Sequence, residues 1–177
     1  VAAELPVSGT WLMDNHRVPS TLIQARDAAL SALCSPDLAP IIALVTWPSP
    51  MRDESGRPLS VFVANHRGTA ELSNENPDGI VISGSHPLPS TDPMAFLPYD
   101  LECTSPSPGH DQNSYPLPWL RLSSFFTERR SPDIAIVHSA GHYFPDENGH
   151  RGEHGSLDVI QSRAPLILSG AGVKARG

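Results

Sequence analysis

Between positions 138 and 154 the chain concentrates four of its eight histidines, His138, His142, His150 and His154, with Asp146, Glu147 and Glu153 among them. Neutral imidazoles and carboxylates are the donors that Zn²⁺ and related ions take, so this stretch is the first candidate for a metal site. The H-x-x-x-H spacings at 138/142 and 150/154 would put paired rings on one helix face. Gly141, Pro145, Gly149 and Gly152 interrupt both segments, so a helical two-histidine site is not expected. Gly152-Glu153-His154-Gly155-Ser156-Leu157-Asp158 reads instead as a loop that presents one imidazole between small residues. On the residues alone, His154 is either a metal ligand or a structural loop histidine, with His150 as an auxiliary ligand. His138 and His142 read as packed strand-end residues, and Asp158 as a helix cap rather than a ligand.

Other chemistry is sparse. There is no G-x-S-x-G elbow, no phosphate-binding loop and no cysteine beside a partner histidine. Asp14 with His16 is a weak metal pair, lacking a nearby third donor. His66 and His86 fall at strand ends, and His110-Asp111, between Gly109 and Gln112-Asn113-Ser114, reads as an exposed loop tip.

Several elements must position these residues. Leu22, Ile23, Ala25, Ala28, Ala29, Leu30 and Leu33 form an apolar stripe that predicts a helix over 21–33, capped by Ser20 or Thr21 and stopped by Ser35-Pro36. The run 41–47 is β-rich and continuous, which predicts a strand buried on both faces. Segments 59–66, 69–72 and 79–83, punctuated by Arg67-Gly68 and Asn76-Pro77-Asp78-Gly79, predict a small antiparallel meander. The proline-rich stretch 85–118 predicts an ordered excursion over the surface, so that 48–118 reads as a loop-rich, lid-like insertion. Trp119, Leu122, Phe125 and Phe126 after Pro118 predict a second helix, and 133–138 and 165–169 two further core strands. Helix, strand, loop, strand is an α/β order, with the histidine loop at a strand's carboxyl end.

At 177 residues and 39% hydrophobic content, the chain can bury one core and is read as a single unit, 1–177. Nineteen prolines and thirteen glycines predict long connections between short elements. A net charge of -7 with twelve Lys and Arg argues against a nucleic-acid surface, and Arg129-Arg130 reads as a solvated helix end. No apolar run has the length of a membrane span. The start at Val1 rather than Met points to processing or to a boundary within a longer product. Cys34 and Cys103 fix no compartment, and either a bridge or two free thiols would satisfy their spacing.

Tyr115-Pro116, Phe125-Phe126, Ser131-Pro132-Asp133-Ile134-Ala135-Ile136-Val137, Gly152-Glu153-His154-Gly155-Ser156 and Ala164-Pro165-Leu166-Ile167-Leu168-Ser169-Gly170-Ala171-Gly172 together carry a resemblance. This run resembles the C-terminal part of the alkaline phosphatase superfamily, in particular its type I phosphodiesterase and nucleotide pyrophosphatase branch. In that family a His-Gly loop near the end of the domain supplies a metal ligand, and a strand of the form Pro-Leu-Ile-Leu-x-Gly follows it. The resemblance therefore implies that His154 is a ligand.

Less specifically, Leu22 through Glu71 is similar to the family's helix, strand and small antiparallel insertion. The implied fold is α/β, a layered sheet flanked by helices with that insertion, present here as a partial domain. The family's complete domain also carries, upstream, a Thr or Ser nucleophile and the Asp and His ligands of a two-metal site, and none of these motifs can be placed here. The resemblance implies a divalent metal, Zn²⁺ by donor type, a phosphate-ester substrate, and the N-terminal half of the same domain as partner. Two further classes stay open: an interaction module of the same fold without chemistry, and a stand-alone Zn²⁺-binding protein using His138, His142, His150 and His154.

Overall fold

A computed structural model describes residues 20–92, 104, 109–128, 130–142, 156–162 and 170–172. Over these the chain is a mixed α/β protein. In order run α1 (Ser20–Leu33), β1 (Ile42–Pro48), β2 (Ser60–Asn65), β3 (Gly68–Ser73), β4 (Ile80–Gly84), α2 (Pro118–Phe125), β5 (Ala135–His138) and α3 (Val159–Ser162). The strands form one five-stranded sheet in the order β4-β3-β2-β1-β5. Every neighbouring pair is antiparallel. The meander 59–83 is thus continuous with the core strand β1, the two sharing one sheet.

The pleat sorts the side chains. Thr46 stands opposite Val63, and Val63 opposite Ala70, so Leu44, Val61, Val63, Ala70 and Leu72 share one face. That face forms the core with Leu88, Tyr115, Trp119, Leu122, Phe126 and Leu157, and with Ala135 and Val137 partly buried against it. On the other face Trp47 stacks on its cross-strand partner Phe62, with ring centroids 5.4 Å apart and planes 17° from parallel. Residues 43–46 are all buried, as a strand covered on both faces requires.

α2 starts as its sequence predicts, with Pro118 in the first turn after Leu117, which takes a left-handed φ of 51°. Trp119 and Leu122 enter the core. Phe126, one residue past the helix, is fully buried, whereas Phe125 is 46% exposed. α1 also forms where its apolar stripe predicts, but none of its described side chains, 23–33, is buried. It meets the sheet through β1, so its stripe is only partly covered.

Backbone geometry fixes the β2–β3–β4 end of the sheet. His66 and Arg67 form a two-residue turn, since Asn65 pairs with Gly68. Gly68 in turn pairs with Gly84 on β4. A Cβ on Gly68 would run into the Ser85 carbonyl oxygen, and one on Gly84, at φ +66°, into that of Arg67. Only glycine allows this approach.

The flanks of the proline-rich region belong to the core rather than to a surface excursion. Leu88 and Tyr115 are buried there, and Tyr115 N–H donates to Ser90 O at 2.9 Å. Residues 93–103 and 105–108, where a lid was expected, lie outside the described residues, as do Asp14, His16 and the expected strand 165–169. No helix among the described residues is long and apolar enough to cross a membrane.

Candidate functional site

The histidine-rich segment departs from the sheet at β5. This strand pairs on one side with β1, placing His138 opposite Ile42, and is an edge strand of the described sheet. Ser139 N–H extends the pairing to Ile41 O at 2.8 Å, and His142 N–H closes a turn onto Ser139 O at 3.1 Å. Gly141 supplies the positive φ of that turn, 83°. His138 is half-buried at the strand's end and His142 is exposed. Residues 143–155, with His150, His154, Asp146, Glu147 and Glu153, lie outside the described residues.

The chain is described again from Ser156, at a densely bonded anchor. Leu157 joins the core, and Asp158 and Val159 are 1% exposed. Asp158 caps α3, as its sequence position predicted: one carboxylate oxygen accepts from Gln161 N–H and the other from the Gln161 side-chain amide, both at 3.0 Å. Val159 N–H donates to Ser114 O at 2.8 Å. From α2, the Arg121 guanidinium donates through Nη1 to Leu157 O at 2.5 Å and through Nη2 to Ser156 O at 2.6 Å. Burial lowers the affinity of this guanidinium for its proton, and the Asp158 carboxylate opposes that effect. Arg121 was not singled out by motif. Its partners lie 35 and 36 positions away.

A second polar group surrounds His110, which the sequence reading placed at an exposed loop tip. The ring is instead half-buried in a 3₁₀ turn, His110–Gln112. Its Nδ1 lies 2.8 Å from the Tyr115 hydroxyl, and its Nε2 2.7 Å from Pro87 O and 3.2 Å from Asn65 Nδ2. A carbonyl can only accept, so Nε2 carries the proton and donates to Pro87, while Nδ1 accepts from Tyr115. The Asn65 amide donates to the same carbonyl at 3.3 Å. Burial depresses the His110 pKa and raises that of Tyr115, the latter helped by the Asp158 charge. Both ring nitrogens are engaged, which makes this a structural imidazole. Its partners Tyr115 and Pro87 lie 5 and 23 positions away, and no local pattern signals the latter.

Beside it an open cleft is lined by Pro36, Ala39, Pro40, His66, Arg67 and Asp111 among others. Arg67 grips Asp111 with both terminal nitrogens, Nη2 to Oδ2 at 2.9 Å, and its Nε donates to His66. The guanidinium holds the Asp111 carboxyl below the usual carboxylate range. Charge in this cleft is thus matched internally. His86 caps its own loop, Nδ1 accepting from Leu88 N–H at 3.0 Å.

Cys34 is a half-buried free thiol whose pKa burial pushes up, and Cys103 lies outside the described residues. Among the described residues no group of three or more His, Cys, Asp or Glu is placed to hold a metal ion. Compared with family models, curated proteins and solved structures, the chain matches none.

Proposed function

We propose that the chain is the C-terminal portion of a metal-dependent phosphoric ester hydrolase, of the phosphodiesterase or nucleotide pyrophosphatase type, to which it contributes His154 as a ligand, with His150 beside it. The observation that carries the reading is the anchoring of both ends of the histidine segment. It leaves an edge strand at a turn bonded to Ile41 and returns to a capped, buried segment two residues after His154. Sites are commonly borne by loops held in this way on a rigid scaffold.

The donor chemistry fits. His150 and His154 with Asp146, Glu147 and Glu153 make the imidazole and carboxylate mixture that Zn²⁺ accepts. A bound divalent ion would polarise the phosphoryl oxygens of the ester. This chain's residues orient the ligands. The nucleophile and remaining ligands of a two-metal site come from the N-terminal half, on this reading.

The partial-domain character is supported by β5, whose four half-buried residues lie at the sheet edge, and by the only partly covered stripe of α1. A layered sheet flanked by helices, with 48–118 inserted, follows if that half packs there. The test is His154→Ala in the full-length protein. Loss of bound metal and of phosphodiesterase activity is expected, and retention of both would refute the assignment.

One observation favours a second reading, an interaction module without chemistry. β4 exposes Ile80, Val81 and Ile82 at 55%, 42% and 54%. A full-length protein that is folded, metal-free and inactive on phosphate esters would select it.

A further inference from the structure

We propose that the turn His110–Gln112 is a proton-operated latch: it is closed on the β2–β3 turn while the rings of His66 and His110 are neutral, and protonation of both releases it and opens the cleft beside it. The device is independent of the metal-ligand reading above. Arg67, in the β2–β3 turn, grips the Asp111 carboxylate with both terminal nitrogens, and its Nε donates to His66 Nε2 at 3.3 Å. Asn65, at the end of β2, and His110 converge on Pro87 O at 3.3 Å and 2.7 Å. Each ring therefore serves as an acceptor, His66 through Nε2 and His110 through Nδ1, 2.8 Å from the Tyr115 hydroxyl. A ring nitrogen that takes a proton stops accepting. Tyr115 is fully buried, and its hydroxyl has no other partner among the described residues, so a protonated His110 leaves that hydroxyl without a place for its proton.

Charge acts in the same direction. The charged and titratable groups that bear on His110 are Asp111, Arg67 and His66, with Tyr115 at Nδ1. Asp158 acts one step further away, on Tyr115, whose phenol burial and that carboxylate together keep protonated. With neutral rings the cluster holds one cation, Arg67, against one carboxylate, Asp111. With both rings charged it holds three cations against the same carboxylate, and burial adds its own penalty at His110. Release of the turn into water relieves both costs. The ion pair that opposes release is weak, since the side chains of Arg67 and Asp111 are 43% and 60% exposed. The turn lines the cleft, a space of about 560 Å³, together with Pro36, Ala39 and Pro40. Moving it away from Arg67 opens that space.

The experiment is hydrogen exchange on the full-length protein, read by mass spectrometry over 109–115 and over β1–β3, at pH 7.5 and 5.5 and across low urea concentrations. Rates are corrected for intrinsic exchange and expressed as opening constants. The constant for 109–115 should rise by up to about tenfold per released ring between pH 7.5 and 5.5. It should exceed that of β1–β3 at both values and depend little on urea, as a local opening does. His66→Gln keeps an acceptor for Arg67 without a titrating ring, and should reduce the pH response while leaving the constant at pH 7.5 unchanged. Asp111→Asn should raise the constant at pH 7.5 severalfold, with β1–β3 at wild-type rates. An opening constant that is the same at both pH values overturns the latch. So does exchange over 109–115 that follows the sheet with the same urea slope, since the turn then opens only with global unfolding. A wild-type pH response in His66→Gln overturns the part assigned to His66.

Discussion

An imidazole can be buried at low cost when each ring nitrogen is given a partner of the right polarity, and His110 meets that condition. Its Nε2 proton goes to Pro87 O and its Nδ1 lone pair takes the Tyr115 hydroxyl proton. Replacing His110 with Leu strands a hydroxyl on Tyr115, a residue with 0% exposure, and should destabilise the fold by about 1–3 kcal/mol, read from urea unfolding. Tyr115→Phe removes the hydroxyl itself and should cost less, about 1 kcal/mol. The same pair predicts a pH dependence. The fold lowers the His110 pKa from its ordinary 6.5, so near and below that pH the unfolded chain binds the proton more readily. Its contribution to stability is complete above about 6.5 and declines as pH falls from there through the folded value. The difference between wild type and His110→Leu in urea midpoint should therefore shrink between pH 7.5 and 5.5. An unchanged difference would mean that the ring titrates alike in both states.

At the scale of elements, two junctions hold this protein together, and each gives a sharp substitution. Gly68 and Gly84 let β3 and β4 close against Arg67 and Ser85. Ala at either position should lose about 1–3 kcal/mol through backbone overlap, with a further cost at Gly84 from its positive φ. Thermal unfolding checks this, and Gly56→Ala is the control: it shares a positive φ but has open space around it. The other junction is α3. Asp158→Ala removes the cap on Gln161 and should cost about 0.5–2 kcal/mol, with faster amide exchange at 159–162 as the local signature. These elements differ in how readable they were. α2 announced itself through Pro118 and its apolar spacing, because capping and periodicity act within a few residues. α3 was foreshadowed only by Asp158 as a cap, because four residues carry no period.

For the whole molecule, the decisive feature is which surfaces the fold leaves open. β5 and β4 end the described sheet, and none of the described side chains of α1 is buried. If the N-terminal half of a hydrolase domain packs against β5, amides of 135–138 not bonded to β1 should exchange about tenfold more slowly in the full-length protein than in the separate chain. Equal rates would count against the partial-domain reading. The His154 substitution belongs to this scale too, since the proposed metal site draws on both halves of the proposed domain.

From sequence alone came the helices at Ser20 and Pro118, the strands at 41–47 and 133–138, the meander 59–83 and the cap at Asp158, each written in the spacing of nearby residues. Three things needed the tertiary structure. The meander and β1 form one antiparallel sheet, a fact set by strand register, which local pattern does not encode. His110 changed from a loop tip to a buried, doubly bonded ring because Pro87, 23 positions away, brings its carbonyl to it. Arg121 found its partners, the Ser156 and Leu157 carbonyls, only when α2 was laid beside them. Local chemistry specifies which segments can be helix or strand and which side chains can bind a metal. Contacts between distant segments decide which of those side chains, like His110, are tied into the core.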